Sequence, residues 1–243
     1  MTNTDRLVLT DSDTAGRSFD AYAADYDAAL DRGLVVTGEE KEYYAAGRVA
    51  HIKALLDAND LTPSRIMDYG CGTGATAPLL LAAWSGASLV AVDSSPASIR
   101  IARAQHGTDT TRFELLRDYA PIGDRELVYC NGVFHHIPPN ERAATLEYIH
   151  ASLAPGGVFA LCENNPWNPG TRYVMSRIPF DRDAIPLSPP VARRLLGTNG
   201  FDVVRTHSIF FFPRALSWLR PLEPALARFP VGGQYIVFAR KRA

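Results

Sequence analysis

From Phe19 to Leu56 the apolar positions recur at helical spacing, with tyrosines at 22, 26, 43 and 44 and an interruption around Gly33 and the TGEE run. Two or more helices are therefore expected ahead of the first strand. Beyond them the pattern alternates. RIMDYG (65–70) reads as strand, ATAPLLLAAW (75–84) as helix, SLVAVD (88–93) as strand, and SPASIRIARAQH (95–106) as a helix capped by Ser95 with Pro96 in its first turn. FELL (113–116) and ELVYCNG (126–132) follow as strands. A helix from about Asn140 to Leu153 is ended by PGG, and VFALCE (158–163) is a fifth strand. A helix started by Ser188 and Pro189 and stopped by Gly200 precedes FDVVRTHSIFFF (201–212), and QYIVFARK (234–241) closes the chain as a seventh strand. Short apolar strands between helices predict an α/β fold: a doubly wound, mainly parallel seven-stranded sheet behind an N-terminal helical lid.

The 243 residues are 47% hydrophobic and 21% charged, enough apolar content for one full core, so a single domain spans 1–243. Within it, 1–16 is a polar, flexible arm, 17–60 the lid, 61–165 the core that binds the ligand, and 166–243 the rim and closing strands. A formal net charge of -1 gives no field that argues for nucleic acid. Cys71, Cys130 and Cys162 are too few and too scattered for a disulfide framework or a zinc cluster, and read as reduced. With no leader-like N-terminus and no run long enough to span a bilayer, the expectation is a cytoplasmic protein with no integral membrane segment.

In sheets of this kind ligands bind outside the carboxyl ends of the strands, near the switch in strand order, which makes the first strand-to-helix loop the place to look. It contains Gly70, Gly72 and Gly74. Glycines there let the chain turn tightly and let a ligand approach the backbone, while the following helix offers unpaired amides. The spacing is GxGxG, not the GxGxxG of a dinucleotide site, and the loop lacks the lysine of a P-loop. Asp93 closes the second strand 23 residues after Gly70, where an acid accepts both hydroxyls of a ribose. An adenosine-type ligand fits both features.

MDYGCGTG and VAVDSS resemble the first two motifs of the class I S-adenosylmethionine-dependent methyltransferases. The resemblance continues through LLRDYA, ELVYCNGVFHHI and LAPGGVFAL, covering roughly Arg65 to Cys162. It departs from the family at Glu126–Leu127, where an acid followed by an apolar pair is common. It implies S-adenosylmethionine as cofactor, held around Asp68, Gly70, Cys71 and Gly72, with Asp93 on the ribose and Ser94, Asp118 and Tyr119 at the adenine. Related families close over the methionine end with an N-terminal tyrosine and an arginine, which points to Tyr26 and Arg48. Arg48 offers a bidentate grip on a carboxylate.

Methyl transfer is an in-line displacement at an activated carbon, so proximity and desolvation do much of the work, and a base is needed only where the acceptor holds its proton. Groups at the carboxyl ends of the fourth and fifth strands are Asn131, His135, His136 and Glu163. Asn131 is assigned to the cofactor; His135, His136 and Glu163 are the catalytic candidates. No cluster of carboxylates or histidines demands a metal.

ENNPWNPGTRYVMSRIPFDRDA (163–184) resembles an E-x-N-P-x-N-P element of a bacterial methyltransferase subgroup. Its two Asn-Pro steps predict a turn-rich, non-helical rim for the acceptor, with Trp167 and Phe180 for stacking and Arg172, Arg177 or Arg182 for an anion. The apolar stretch from Phe210 to Leu222, broken by Pro213 and Pro221, is expected to pack on the domain as an insertion; an acceptor wall, a dimer surface or a membrane contact are its alternatives. The resulting expectation is a methyltransferase acting on an oxygen or nitrogen of a small molecule in secondary metabolism or sugar or lipid tailoring, with a homodimer left open. The rival is an S-adenosylmethionine-binding protein with another role: non-methyl transfer, cyclisation, or a non-catalytic sensor or partner subunit.

Overall fold

The computed structural model of the protein describes residue 20, the backbone of 26 and 27, and residues 28–242 in full. The arm assigned to 1–16 and the side chain of Tyr26 lie outside the described residues. The lid comprises α1 (Tyr26–Leu34), a 3-10 turn (Val35–Thr37) and α2 (Lys41–Asp57). The core runs β1 (Arg65–Tyr69), α3 (Ala77–Ala83), β2 (Ser88–Asp93), α4 (Pro96–His106), β3 (Thr111–Leu115), β4 (Arg125–Asn131), α5 (Arg142–Ser152) and β5 (Leu153–Asn164). After it come α6 (Pro169–Arg177), a 3-10 turn (Pro179–Asp181), α7 (Pro189–Thr198), β6 (Phe201–Ile209), a 3-10 segment (Arg214–Leu222), α8 (Glu223–Leu226) and β7 (Gln234–Lys241).

The strands form one sheet in the order β3-β2-β1-β4-β5-β7-β6, parallel except for β7, which runs antiparallel to both its neighbours. Four of five residues in β1 and four of six in β2 are buried, as strands covered on both faces require. One face packs against Ile52 and Leu56 of α2, Leu80 of α3 and Ile99 of α4. The other packs against Leu146 and Ile149 of α5 and Leu196 of α7. The order reverses between β1 and β4, which sets the binding crevice above their carboxyl ends.

Three local expectations are corrected. The Asn-Pro steps do not exclude helix: Asn168 is the N-cap of α6, its side chain accepting from Thr171 N at 3.0 Å, and Pro169 occupies the first turn, where no amide partner is lost. PGG does not separate helix from strand; β5 already begins at Leu153, paired with Arg125 across an irregular register, and Gly156 (φ 73°) takes the bend. The insertion divides in two. Phe210 packs on Tyr43 and Tyr44 of the lid, with ring centroids 5.7 and 4.9 Å away, whereas the 3-10 segment buries none of its residues and leaves Trp218 74% exposed.

The first Asn-Pro step has a fastening role. Fully buried Asn165 donates from Nδ2 to Pro230 O (3.0 Å) and Gly232 O (2.8 Å) and accepts from Trp167 N, while Asn168 Nδ2 donates to Val231 O (2.8 Å). These bonds tie the rim to the loop that enters β7. Asn165→Ala is expected to lower stability by about 2–3 kcal/mol, because it orphans buried carbonyls, as read from the urea midpoint at unchanged slope.

Candidate active site

The turn after β1 is shaped by three glycines of positive φ, Gly70, Gly72 and Gly74. At Gly70 (φ 75°) a Cβ would collide with Val133 Cγ2 in the loop after β4. At Gly72 (φ 52°) a Cβ would meet nothing within 4 Å: the backbone there faces open space. Gly70 N and Cys71 N both donate to Val92 O, which binds the loop to the end of β2.

Asp93 is fixed by that loop. Its Oδ2 accepts from Gly72 N and its Oδ1 from Ser95 N, each at 2.8 Å. Burial raises its pKa, and the amides of Ser95, Gly72 and Ser94 partly offset that. A carboxylate has about four acceptor positions, so two amide bonds leave it able to take ribose hydroxyls. Asp20 meets the same region, accepting from Ser95 Oγ and Ala97 N at the start of α4.

One cavity of about 520 Å³ opens beside the glycine loop. Its wall includes Asp68, Gly70, Cys71, Gly72, Asn131, Arg48, His135 and His136 from the predicted set. Asp93, Ser94, Asp118, Tyr119 and Glu163 are not in that wall. Asp118 is exposed beside Arg117 (3.9 Å). Tyr119 packs on the core, with Tyr148 Oη donating to its carbonyl, and its own buried hydroxyl has no hydrogen-bond partner among the described residues.

Arg48 reaches from α2 into the core. Its Nε donates to Tyr129 Oη (3.2 Å) and its Nη1 to Gln234 Oε1 (3.0 Å), and the residue is 7% exposed. Near it Asp68, 2% exposed, has no hydrogen-bond partner among the described residues. Burial, then Asp93, push its pKa up to about 7 against the pull of Arg48. An unpartnered carboxyl beside a guanidinium on a cavity wall suits the ammonium and carboxylate of an amino acid.

The two histidines meet a residue that sequence reading passed over. Glu163 is 1% exposed and spends both oxygens inside the protein: Oε1 accepts from Phe134 N (2.8 Å) and Oε2 lies 2.6 Å from His135 Nδ1. His135, itself 3% exposed, puts Nε2 3.4 Å from Asp181 Oδ1, and His136 Nε2 lies 3.3 Å from the same oxygen. Burial lowers the His135 pKa, but Glu163 and Asp181 reverse this and carry it up to about 10. For His136 burial prevails and the shift is downward. His136 and Asp181 line the cavity, whereas Glu163 acts through His135. Asp181 stood in the rim stretch, where arginines and aromatics drew attention; an acid between Phe180 and Arg182, 45 residues after His136, carries no local signal.

Apolar and aromatic residues make up much of the rest of the wall, beside polar ones such as Lys41, Glu42, Asn164 and Gln234. Tyr43 and Tyr44 come from α2, Val174 and Ile178 from α6 and its end, and Phe210, Phe211 and Phe212 from the segment after β6. Arg220 stacks on Tyr43 (4.5 Å to the ring centroid) and pairs with Glu39 at 2.7 Å, which joins the insertion to the lid.

Sheet order, glycine loop and cavity define the class as that of the S-adenosylmethionine-dependent methyltransferases. A methyltransferase-domain family model matches residues 41–220, and the chain belongs to that family. Over 156 residues it is 32% identical to a trans-aconitate 2-methyltransferase of Mycobacterium tuberculosis, covering 57% of each chain, and over 100 residues 34% identical to one of Rhodopseudomonas palustris, covering 41% of this chain and 38% of that one. The chain thus matches little more than half the length of these curated relatives at most. Its fold superposes on a magnesium protoporphyrin IX methyltransferase of Synechocystis PCC 6803 solved with S-adenosylhomocysteine: TM-score 0.64 at 19% identity, over 96% of this chain and 100% of that one. An S-adenosylmethionine-dependent methyltransferase of Mesorhizobium loti gives TM-score 0.55 at 20% identity, over 74% and 91%. No helix among the described residues is long and apolar enough to cross a membrane.

Proposed function

We propose that the protein transfers the methyl group of S-adenosylmethionine to an oxygen or nitrogen of a small molecule held in the 520 Å³ cavity. The observation that carries this reading is the joint wall: the open backbone at Gly72, the Asp68–Arg48 pair and the His136–Asp181 pair line one space. Bound cofactor supplies a sulfonium methyl group open to in-line attack. The chain's own part is placement. Asp93 takes the ribose hydroxyls, Asp68 the ammonium and Arg48 the carboxylate, with Cys71 and Asn131 along the methionine part. His136 meets the acceptor's reacting atom, held in place by Asp181 and, through His135, by Glu163.

The wall also favours one kind of acceptor. Among the described residues its lysine and arginine are Lys41 and Arg48, against the carboxyls of Glu42, Asp68 and Asp181. A polycarboxylate like that named for the mycobacterial relative would need several cations, so an uncharged or cationic acceptor with an apolar or aromatic body fits better. Tailoring of a secondary metabolite, sugar conjugate or lipid matches that chemistry.

The test is calorimetric titration with S-adenosylhomocysteine, NAD as control, followed by a screen of phenols, alcohols and amines with methyl-labelled donor. About micromolar binding of S-adenosylhomocysteine alone and label in an acceptor are the expected results. His136→Ala should then cut kcat at least about tenfold at unchanged S-adenosylhomocysteine affinity, as for a contact made in the transition state. Binding without any labelled product would overturn the transfer and favour a sensor or partner-subunit role.

A further inference from the structure

We propose that His135, His136 and Asp181 bind one divalent first-row transition ion, with open coordination positions toward the cavity. The three donor atoms lie within 4.8 Å of one another, and the residues come from two segments 45 positions apart. Both Nε2 atoms converge on one oxygen, Asp181 Oδ1, at 3.4 and 3.3 Å. An N–H···O bond settles near about 2.9 Å. Ligands about 2.1 Å from an ion in tetrahedral array stand about 3.4 Å apart, the spacing that each Nε2 keeps from Asp181 Oδ1.

The surroundings match what a bound ion needs. An ion that displaces the Nε2 proton of His135 would leave Glu163 on Nδ1 (2.6 Å) to hold the ring with its Nε2 lone pair toward Asp181, the carboxylate–histidine–metal arrangement. With the ion bound, Glu163 and Asp181 bring two negative charges to two neutral imidazoles, which a dication balances. The site is also built beforehand. Ile185 N donates to His135 O (2.7 Å), and Arg142 donates from Nε to Ile137 O (2.9 Å) and from Nη2 to Ile185 O (2.8 Å), so the histidine loop and the Asp181 loop are joined without the ion. Two imidazoles and one carboxylate suit Zn²⁺, Mn²⁺, Fe²⁺ or Co²⁺ and not Mg²⁺, which asks for oxygen ligands. All three residues line the cavity, so the vacant positions face the acceptor. Resting on the methyl-transfer reading, an ion there binds the acceptor's hydroxyl or amine and eases loss of its proton.

The test uses the tag-free full chain, stripped with EDTA and titrated with Co²⁺ as a spectroscopic probe and with Zn²⁺ in a calorimeter. One ion per chain at about micromolar affinity or better is expected, with no comparable Mg²⁺ binding. His136→Ala and Asp181→Asn should each weaken binding at least a hundredfold, and Glu163→Gln by about 10- to 100-fold, as loss of the carboxylate that orients a metal-binding histidine does. Thermal melts establish that the variants fold, and Asp181→Asn, isosteric with the wild type, carries the test if His136→Ala does not. Asp93→Ala should leave Co²⁺ binding unchanged. Absence of stoichiometric Co²⁺ binding, equal Mg²⁺ binding, or Co²⁺ binding that survives both substitutions and so belongs to another pair, such as His51 and His207 with ring nitrogens 2.9 Å apart, would each overturn the inference. S-adenosylhomocysteine titrated into the same samples separates the two readings: binding without Co²⁺ overturns only the metal site, and Co²⁺ without S-adenosylhomocysteine overturns the cofactor reading.

Discussion

Asp93→Ala is expected to weaken S-adenosylhomocysteine binding by at least a hundredfold, measured by calorimetry against the wild type. Two contributions act together. A carboxylate that accepts two ribose hydroxyls makes two charge-assisted hydrogen bonds, about 1.5–3 kcal/mol each, or roughly two to four decades in affinity. The same carboxylate holds Gly72 N and Ser95 N at 2.8 Å, so its removal also frees the backbone that faces the cavity. Asp93→Asn tells the two apart. One amide oxygen can still accept from Gly72 or Ser95, so the loop is largely kept while one acceptor group and the charge are lost, and an intermediate affinity is expected. Asp118→Ala is the contrast. Asp118 is exposed beside Arg117, whereas the amides of Gly72 and Ser95 hold Asp93, and a loss of less than about threefold is expected at Asp118. Equal losses at Asp93 and Asp118 would remove Asp93 from its assigned role.

The parts of the fold that were legible in the sequence are those set by local pattern. Strand runs buried on both faces, Ser95 ahead of Pro96, and three glycines between strand and helix each carry their signal within a few residues, and the sheet and its crevice follow from them. Asn168–Pro169 was misread because the same dipeptide that disfavours helix before it starts one after it; only the bond from Thr171 N shows which applies. The insertion was misread for a different reason. Apolar residues stand on both sides of Pro213, yet Phe210 before it packs on Tyr43 and Tyr44, about 170 positions upstream, while Trp218 after it is exposed. The candidate site divides in the same way. Gly70 and Gly72 stand out by spacing and Asp68 by the family resemblance, whereas the surroundings of His135 depend on Asp181, which arrives through α6 and the 3-10 turn after it. A histidine in sequence offers either an exposed or a buried reading, and which holds is decided by carboxylates brought from elsewhere in the chain.

Asp68→Asn is expected to stabilise the protein and weaken its hold on the cofactor, and pH shows that both effects share one cause. The Asp68 carboxyl is buried, without a hydrogen-bond partner among the described residues, and has its pKa pushed up to about 7 by burial and Asp93. In the unfolded chain it titrates near 3.9. Because the folded value is raised, stability falls as pH climbs from about 4 to about 7, where the unfolded state has lost the proton and the folded state has not. Three pKa units correspond to about 4 kcal/mol. The asparagine variant escapes this loss, so urea midpoints should coincide near pH 4 and diverge in its favour up to pH 8. Binding runs the other way. The ligand's ammonium requires the ionised carboxylate, so wild-type affinity for S-adenosylhomocysteine should rise with pH through 7, with release of a proton into the buffer, while the variant binds more weakly and shows no such rise. A variant that keeps the pH dependence of affinity would mean that another group, with Asp93 next in line, carries the ammonium. A variant no more stable at pH 8 would mean that Arg48 already neutralises Asp68 before the cofactor arrives. In the expected case the fold gives up stability at Asp68 to keep a carboxylate that only the cofactor satisfies, which accounts for a buried acid placed at the mouth of β1 with no partner of its own.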